Sequence, residues 1–407
     1  MILFTDVKRP DGSVQDFLAP SEREERLDGS HLTLLPGLID PHVHFRTPGM
    51  EHKENWVTAA RAALRGGYTT VFDMPNTIPP TITADALQAK QQLIDAQLRE
   101  AGIPLRYQLF FGADKHHLNQ IPGVASSVVG IKVFMGCSTG NLVIDDDESL
   151  HAVFEIAAAC RLLVAVHAED EMMIQARKSS HAGRTDYACH SSVRNPDVAA
   201  RAVEKAIALT RRYGTRLYIL HVSTEEEIAL IRNAKQANLP VFAETTPHHL
   251  FLDTSAYAAL FGKAVVNPPL REAFHRHAVM TAIKEGIIDT IGSDHAPHTE
   301  AEKSQPYGAC PSGMPGIETT LPLLLTACQE GVLTLSQVIS LTCDRPRAIF
   351  GVPHHDDFVL VDRGAARTVE NRQLLTRCGW SAFAGQPLYG WPAYTGLQQK
   401  TFDLSVI

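Results

Sequence analysis

Eight short runs rich in β-branched and aromatic residues recur along this chain: "LLPGLIDPHVHF" (34–45), "TTVFDM" (69–74), "YQLFFGA" (107–113), "GIKVFMG" (130–136), "LLVAVHAE" (162–169), "LYILHVS" (217–223), "VFAETT" (241–246) and "DTIGSDHAP" (289–297). Most read as continuous apolar stretches rather than strict alternations, so both faces are covered and the pairing is parallel. Between them lie helix-like segments at 54–67, 146–161, 195–214 and 223–240, several opening on Asn, Asp or Ser and closing near Gly. Those residues supply a side-chain acceptor at the start of a helix and a left-handed exit at its end. Further helices are expected at 316–330 and 334–348. Eight strand and helix units are the count of a (β/α)8 barrel. A doubly wound open sheet is the competing architecture, and the glycine-rich G-x-G-x-x-G turn expected there is missing.

The chain has 407 residues, 44% of them hydrophobic, enough for one barrel of ~250 residues with appendages. The predicted division is a barrel over 36–354 and a small β-rich appendage formed by 1–35 together with 355–407, where "MILFTDV" and "FVLVD" read as strand fragments. A formal charge of -8 argues against nucleic acid or an anionic membrane surface as the main partner. No apolar run approaches the ~20 residues needed to cross a bilayer, and no basic start precedes an apolar leader, so a cytoplasmic protein is expected. Seven cysteines with no C-x-x-C pair indicate neither a disulfide framework nor a zinc ribbon. Cys137 stands slightly apart because it falls in "FMGCSTGN" (134–141), a lid over the barrel mouth or a plain strand-to-helix loop. A second glycine-containing segment, "SQPYGACPSGMPG" (304–316), is expected as a flexible loop at the same mouth.

Placed on that map, the unusual side chains gather at strand ends. His42 and His44 are two apart, so the period-2 alternation of a strand points them to one face. Lys132 lies inside the fourth run, His167 ends the fifth, His221 the sixth and Asp294 the eighth. Taken alone, a strand-end histidine is more often satisfied by a backbone carbonyl, and an aspartate there can cap the next helix. Six such groups on five strands at the one rim that carries active sites in a (β/α)8 barrel are better explained together, by a metal site. Imidazole and carboxylate ligands without thiolate point to zinc ahead of manganese, cobalt or nickel. A lysine ammonium beside cations would be repelled. Reaction of its amine with CO2 would give a carbamate whose two oxygens can bridge ions ~3.5–4 Å apart, which predicts a binuclear centre.

The segments "DPHVHFRTPG", "DMPNTIPP", "GIKVFMG", "VAVHAE", "ILHVS", "TPHHLFL", "NPPLR" and "GSDHAPHT" together resemble the amidohydrolase superfamily, and within its cyclic-amidase group the dihydroorotase family, over about 34–350. The resemblance implies that His42 and His44 bind one Zn2+, that His167 and His221 bind a second, that carboxylated Lys132 bridges them, and that Asp294 is both a ligand and the catalytic acid/base. It implies reversible hydrolysis of the cyclic amide of dihydroorotate to N-carbamoyl-aspartate by a metal-bridging hydroxide. Arg46, Asn76 and His298 resemble the family's substrate-carboxylate set, and His44 is expected to touch the substrate as well. Asn267, Ser312 and Gly313 match positions that contact the ring, whereas His248 and His249 are expected to be supporting or structural. A homodimer and an association with aspartate transcarbamoylase are the partners the resemblance suggests. Two other functions remain open at this point: a hydantoinase or allantoinase, and a non-catalytic partner subunit.

Overall fold

The computed structural model describes residues 1–136 and 142–406. Eight parallel strands form one sheet in chain order: β1 (Leu38–Val43), β2 (Tyr68–Asp73), β3 (Arg106–Gly112), β4 (Gly130–Phe134), β5 (Leu163–His167), β6 (Arg216–Ile219), β7 (Val241–Thr245) and β8 (Thr290–Ile291). The ring closes where Val43 bridges His295 and His44 N donates to His295 O at 2.8 Å. This is the (β/α)8 barrel.

Alternation along the strands builds two cores. Val164 and Val166 of β5 face outward into the large shell between barrel and helices, while Leu163 and Ala165 face inward with Ile39, Phe72, Phe110 and Tyr218. His167 continues the inward series two residues beyond Ala165, and Lys132 is the inward residue between outward Ile131 and Val133. The apolar interior fills the lower barrel, so the polar inward residues are left at the upper rim.

Two ligand candidates reach that rim differently. β6 ends at Ile219 and β8 at Ile291, before His221 and Asp294, so the eighth strand is much shorter than the run 289–297 suggests. His221 (φ 41°) and Asp294 (φ 43°) instead occupy left-handed backbone conformations, uncommon for residues with a Cβ and concentrated at functional sites.

The helices follow their expected starts in most cases. Asn55 accepts from Thr58 N and Asp146 from Ser149 N, while Thr224 forms a reciprocal capping box with Glu227. Asn195 makes no side-chain cap, and Pro196 at the first turn performs the start there. The helix expected over 334–348 is broken: Leu335–Ile339 passes into a π-helical turn at Ser340–Asp344 before Arg345–Phe350.

The two chain ends share a second, seven-stranded sheet. Ile2–Lys8 and Phe358–Thr368 are not direct neighbours in it; Leu32–Pro36 lies between, antiparallel to the latter. From this side, residues 375–380 reach back to the barrel. Leu375 N and Thr376 N donate to buried Glu318, Thr376 Oγ1 and Arg377 N donate to buried Glu54, and Trp380 Nε1 donates to His298 O at 2.7 Å. No helix among the described residues is long and apolar enough to cross a membrane.

Candidate metal centre and active site

His42 and His44 meet at their Nε2 atoms, 3.3 Å apart. The Asp294 carboxylate joins them, its Oδ1 lying 3.3 Å from His42 Nε2 and 3.2 Å from His44 Nε2. What the rings do at their other nitrogens fixes the chemistry. His42 Nδ1 lies 2.7 Å from Glu244 Oε1, and His44 Nδ1 lies 2.8 Å from Asn76 Oδ1. Each oxygen accepts the Nδ1 proton, so each Nε2 presents a lone pair toward the carboxylate. Burial opposes the imidazolium forms and pushes both histidines down to about 4 despite the favourable Asp294 charge. Three electron-pair donors with no proton between them fit a divalent cation, and they are the three-residue group able to hold one among the described residues.

A second convergence lies beside it. His167 Nε2 donates to Glu169 Oε2 at 2.8 Å, which leaves its Nδ1 lone pair facing His221 Nε2 at 3.0 Å. Glu169 also receives the Arg194 guanidinium. Burial would raise the Glu169 carboxyl, and Arg194 with His167 more than reverses it, holding the group ionised. Lys132 is buried, and its Nζ has no hydrogen-bond partner among the described residues; it lies 4.5 Å over the Phe134 ring. Burial, opposed by Asp294 and Glu244, brings its ammonium down to about 7.

Glycine is required where these parts close up. A Cβ at Gly292 would come within 2.5 Å of Glu244 Oε2 and 2.8 Å of His42 Cβ. Only a residue without a side chain lets β8 pass the Glu244–His42 pair.

Arg46 occupies the next position on the rim, 3% exposed. Its Nε donates to Pro297 O at 3.0 Å and its Nη2 lies 3.0 Å from His298 Nε2. His298 in turn accepts from Lys53 Nζ at its Nδ1, 3.1 Å away, and donates from Nε2 to Ser312 O at 3.0 Å. Desolvation lowers Arg46 only to about 10, so it stays charged, and among the described residues no carboxylate pairs with it. A buried guanidinium without an anion is unfavourable, and this one has a side turned to the cavity.

These groups enclose one cavity of about 190 Å³. His42, His44, Arg46, Asn76, Lys132, His167, His221, Asp294, Asn267, Ser312 and Gly313 all line it, and so do Phe134, Val266, Ala296 and Pro311, which the sequence did not single out. His298 sits against Arg46 and is not on the wall. Asn76 is on the wall but spends its carbonyl on His44. His248 and His249 lie outside the cavity; His249 is tied to Thr246 Oγ1 and Pro268 O. The 304–316 segment borders the mouth through Pro311–Gly313, and Gly313 N donates to Val265 O at 3.0 Å. Residues 137–141, which carry Cys137 and most of the proposed lid, lie outside the described residues.

Sequence reasoning missed Glu244 and Glu169. Both left a trace: Glu244 interrupts the apolar run "VFAETT", and Glu169 lies two residues past His167, on the same face of an extended strand.

The family model described as "Amidohydrolase family" matches residues 33–355. A dihydroorotase of Halobacterium salinarum is 36% identical over 406 residues, covering 95% of this chain and 92% of that protein. Dihydroorotases of Methanosarcina acetivorans (36% identical, 91% of this chain and 81% of that one) and Bacillus licheniformis (33%, 94% and 90%) are similar as well. Among solved structures, an L-hydantoinase (dihydropyrimidinase) from Arthrobacter aurescens superposes with a TM-score of 0.88 at 27% identity, covering 97% of this chain and 94% of that one.

Proposed function

The chain belongs to the amidohydrolase family, and from that premise we propose that it is a dihydroorotase, interconverting dihydroorotate and N-carbamoyl-aspartate. The observation that carries the substrate assignment is Arg46, a buried cation on the cavity wall with no anionic partner among the described residues. Dihydroorotate brings a ring carboxylate that would pair with it; hydantoin and allantoin do not. The curated relatives support the same substrate, and the structural likeness to hydantoinases is the likeness of the shared barrel and metal-binding rim.

In this reading His42, His44 and Asp294 would hold one ion, His167 and His221 a second, and Lys132, carboxylated by CO2, would bind both. Zinc fits this imidazole and carboxylate set best. Such ions supply Lewis-acid polarisation of the scissile carbonyl and of water. The chain's own residues do the rest. Glu244 and Glu169 hold His42 and His167 in the tautomers that present lone pairs to the cavity. Arg46 fixes the substrate carboxylate, and its own Nε–H bond to the Pro297 carbonyl holds it in place. As water attacks the ring amide carbon, the Asp294 carboxylate takes its proton. It then passes that proton to the departing ring nitrogen as the C–N bond breaks, leaving N-carbamoyl-aspartate. The reverse sequence closes the ring. The sheet pairing supports treating 36–354 as the catalytic barrel and 1–35 with 355–407 as its appendage.

The test is an ultraviolet assay for dihydroorotate consumption by metal-replete protein, with hydantoin and allantoin as controls. Turnover of dihydroorotate well above both supports the proposal, and a preference for either neutral ring rejects it.

A further inference from the structure

The excursion between helices Glu171–Ser180 and Pro196–Tyr213 folds a short helix, Cys189–Val193, against the cavity wall. His190 of that helix is 8% exposed and points its Nε2 at two oxygens, Asn267 Oδ1 at 2.8 Å and Val266 O at 3.1 Å. Val266 O is a backbone carbonyl and can only accept, so Nε2 carries the proton and donates. The atom of the Asn267 amide that faces His190 is therefore its oxygen. Asn267 lines the cavity, and with its oxygen committed to His190 the group left for a ligand is the NH2.

The same turn is anchored firmly. Ser191 Oγ donates to Leu270 O at 2.7 Å and contacts Tyr257 OH at 2.9 Å, Arg194 pairs with Glu169, and the His190 ring lies 6.0 Å from that of Tyr307. His190 thus approaches Asn267 from a fixed support, as a group that sets orientation must.

We infer that His190 is a positioning residue that fixes the Asn267 amide with its N–H groups toward the cavity, so that the site reads the non-reacting carbonyl of the substrate ring. The inference rests on the dihydroorotase reading. Dihydroorotate has two ring carbonyls and two ring N–H groups. One carbonyl is the scissile one and must face the metal rim, which leaves the ureido carbonyl as the remaining acceptor. A donating Asn267 pairs with that oxygen; an Asn267 turned the other way would meet it with like polarity and pair with a ring N–H instead. Because the ureido carbon is not the carbon attacked, this hydrogen bond is already made in the ground state and appears chiefly in KM.

The experiment compares steady-state kinetics of the wild type, His190→Phe, His190→Gln and Asn267→Ala on dihydroorotate and on its 2-thio analogue, whose sulfur is a poor acceptor. The wild type is expected to favour the oxo substrate by about tenfold in kcat/KM, the worth of one hydrogen bond. His190→Phe should raise KM for dihydroorotate about tenfold with kcat changed by less than about twofold, and should erase the preference over the thio analogue. Asn267→Ala should do the same, and a variant combining His190→Phe with Asn267→Ala should be no worse than either single one. His190→Gln, whose amide N–H can reach the same two oxygens, should recover most of the loss. A His190→Phe enzyme that keeps the wild-type KM and oxo preference overturns the inference, as does a loss confined to kcat or a failure of Gln to do better than Phe. Absence of dihydroorotate turnover by the wild type is a different result: it overturns the functional reading, and this inference with it.

Discussion

Glu244 offers the sharpest test of how the barrel interior supports the metal rim. Its Oε1 accepts from His42 Nδ1 at 2.7 Å, and its Oε2 accepts from Tyr218 OH at 2.9 Å. Tyr218 has a second partner in Thr290 Oγ1 at 2.5 Å, so Glu244→Ala orphans chiefly His42 Nδ1, together with the more distant His221 N at 3.4 Å from Oε1. An unsatisfied buried donor costs about 1–3 kcal/mol. Here part of that cost can be avoided if the ring moves its proton to Nε2, which removes the lone pair offered to the ion. Loss of such an outer carboxylate lowers metal affinity about 10–100-fold, or about 1.4–2.8 kcal/mol. Glu244→Gln keeps a carbonyl oxygen for Nδ1 and can turn its NH2 toward Tyr218, so it should lose less than about tenfold. The assay is dihydroorotate turnover against buffered free Zn2+, with thermal melting to confirm that each variant is folded. The Ala curve should shift to about 10–100-fold higher zinc, with the Gln curve lying between it and the wild type. An Ala curve superposed on the wild type would refute the claim that Glu244 sets the His42 tautomer.

Three further changes probe other parts of the site. Asp294→Asn should reduce kcat by about 10²–10⁴-fold, the usual worth of a general acid/base, while KM shifts only a few-fold; steady-state kinetics at saturating zinc decides this, and near-normal kcat would remove Asp294 from the proton path. Arg46→Ala should lower kcat/KM for dihydroorotate by about 10–100-fold, as expected for a charge-assisted pair, and weaken binding of hydantoin, a ring without a carboxylate, far less. Equal losses on both substrates would show that Arg46 supports the fold rather than the carboxylate. Gly292→Ala forces a methyl to within 2.5 Å of Glu244 Oε2 and 2.8 Å of His42 Cβ; a loss of about 1–3 kcal/mol in chemical denaturation is expected, with weakened zinc binding, and a wild-type profile would contradict the close approach.

The barrel is legible because most of its strands carry an apolar signature strong enough to survive without tertiary context; the eighth, only Thr290–Ile291, is the exception. Lys132 was conspicuous for the same reason, as a charge inside "GIKVF". Glu244 broke its own strand just as plainly, yet its meaning depends on His42, distant in sequence by 202 positions, and no local pattern reports that pairing. His221 and Asp294 were found by residue type, but their left-handed backbones were not, since neither is a glycine or sits in a turn signature. For His298, expected to meet the substrate carboxylate, no local pattern reports that Lys53 Nζ and the Ser312 carbonyl engage its two ring nitrogens. The bond from His44 to the Asn76 carbonyl, which leaves the Asn76 NH2 for a ligand, likewise becomes visible only once β2 stands beside β1. The helix expected over 334–348 failed because an apolar period does not distinguish a regular turn from a π-helical one at Ser340–Asp344.

The most direct measurement is the metal-to-protein ratio of catalytically active preparations, determined by inductively coupled plasma mass spectrometry alongside dihydroorotate turnover. Two divalent ions per chain, falling together with activity on chelation and returning together on addition of zinc, is the predicted result. Full turnover by protein carrying no such ions would contradict it.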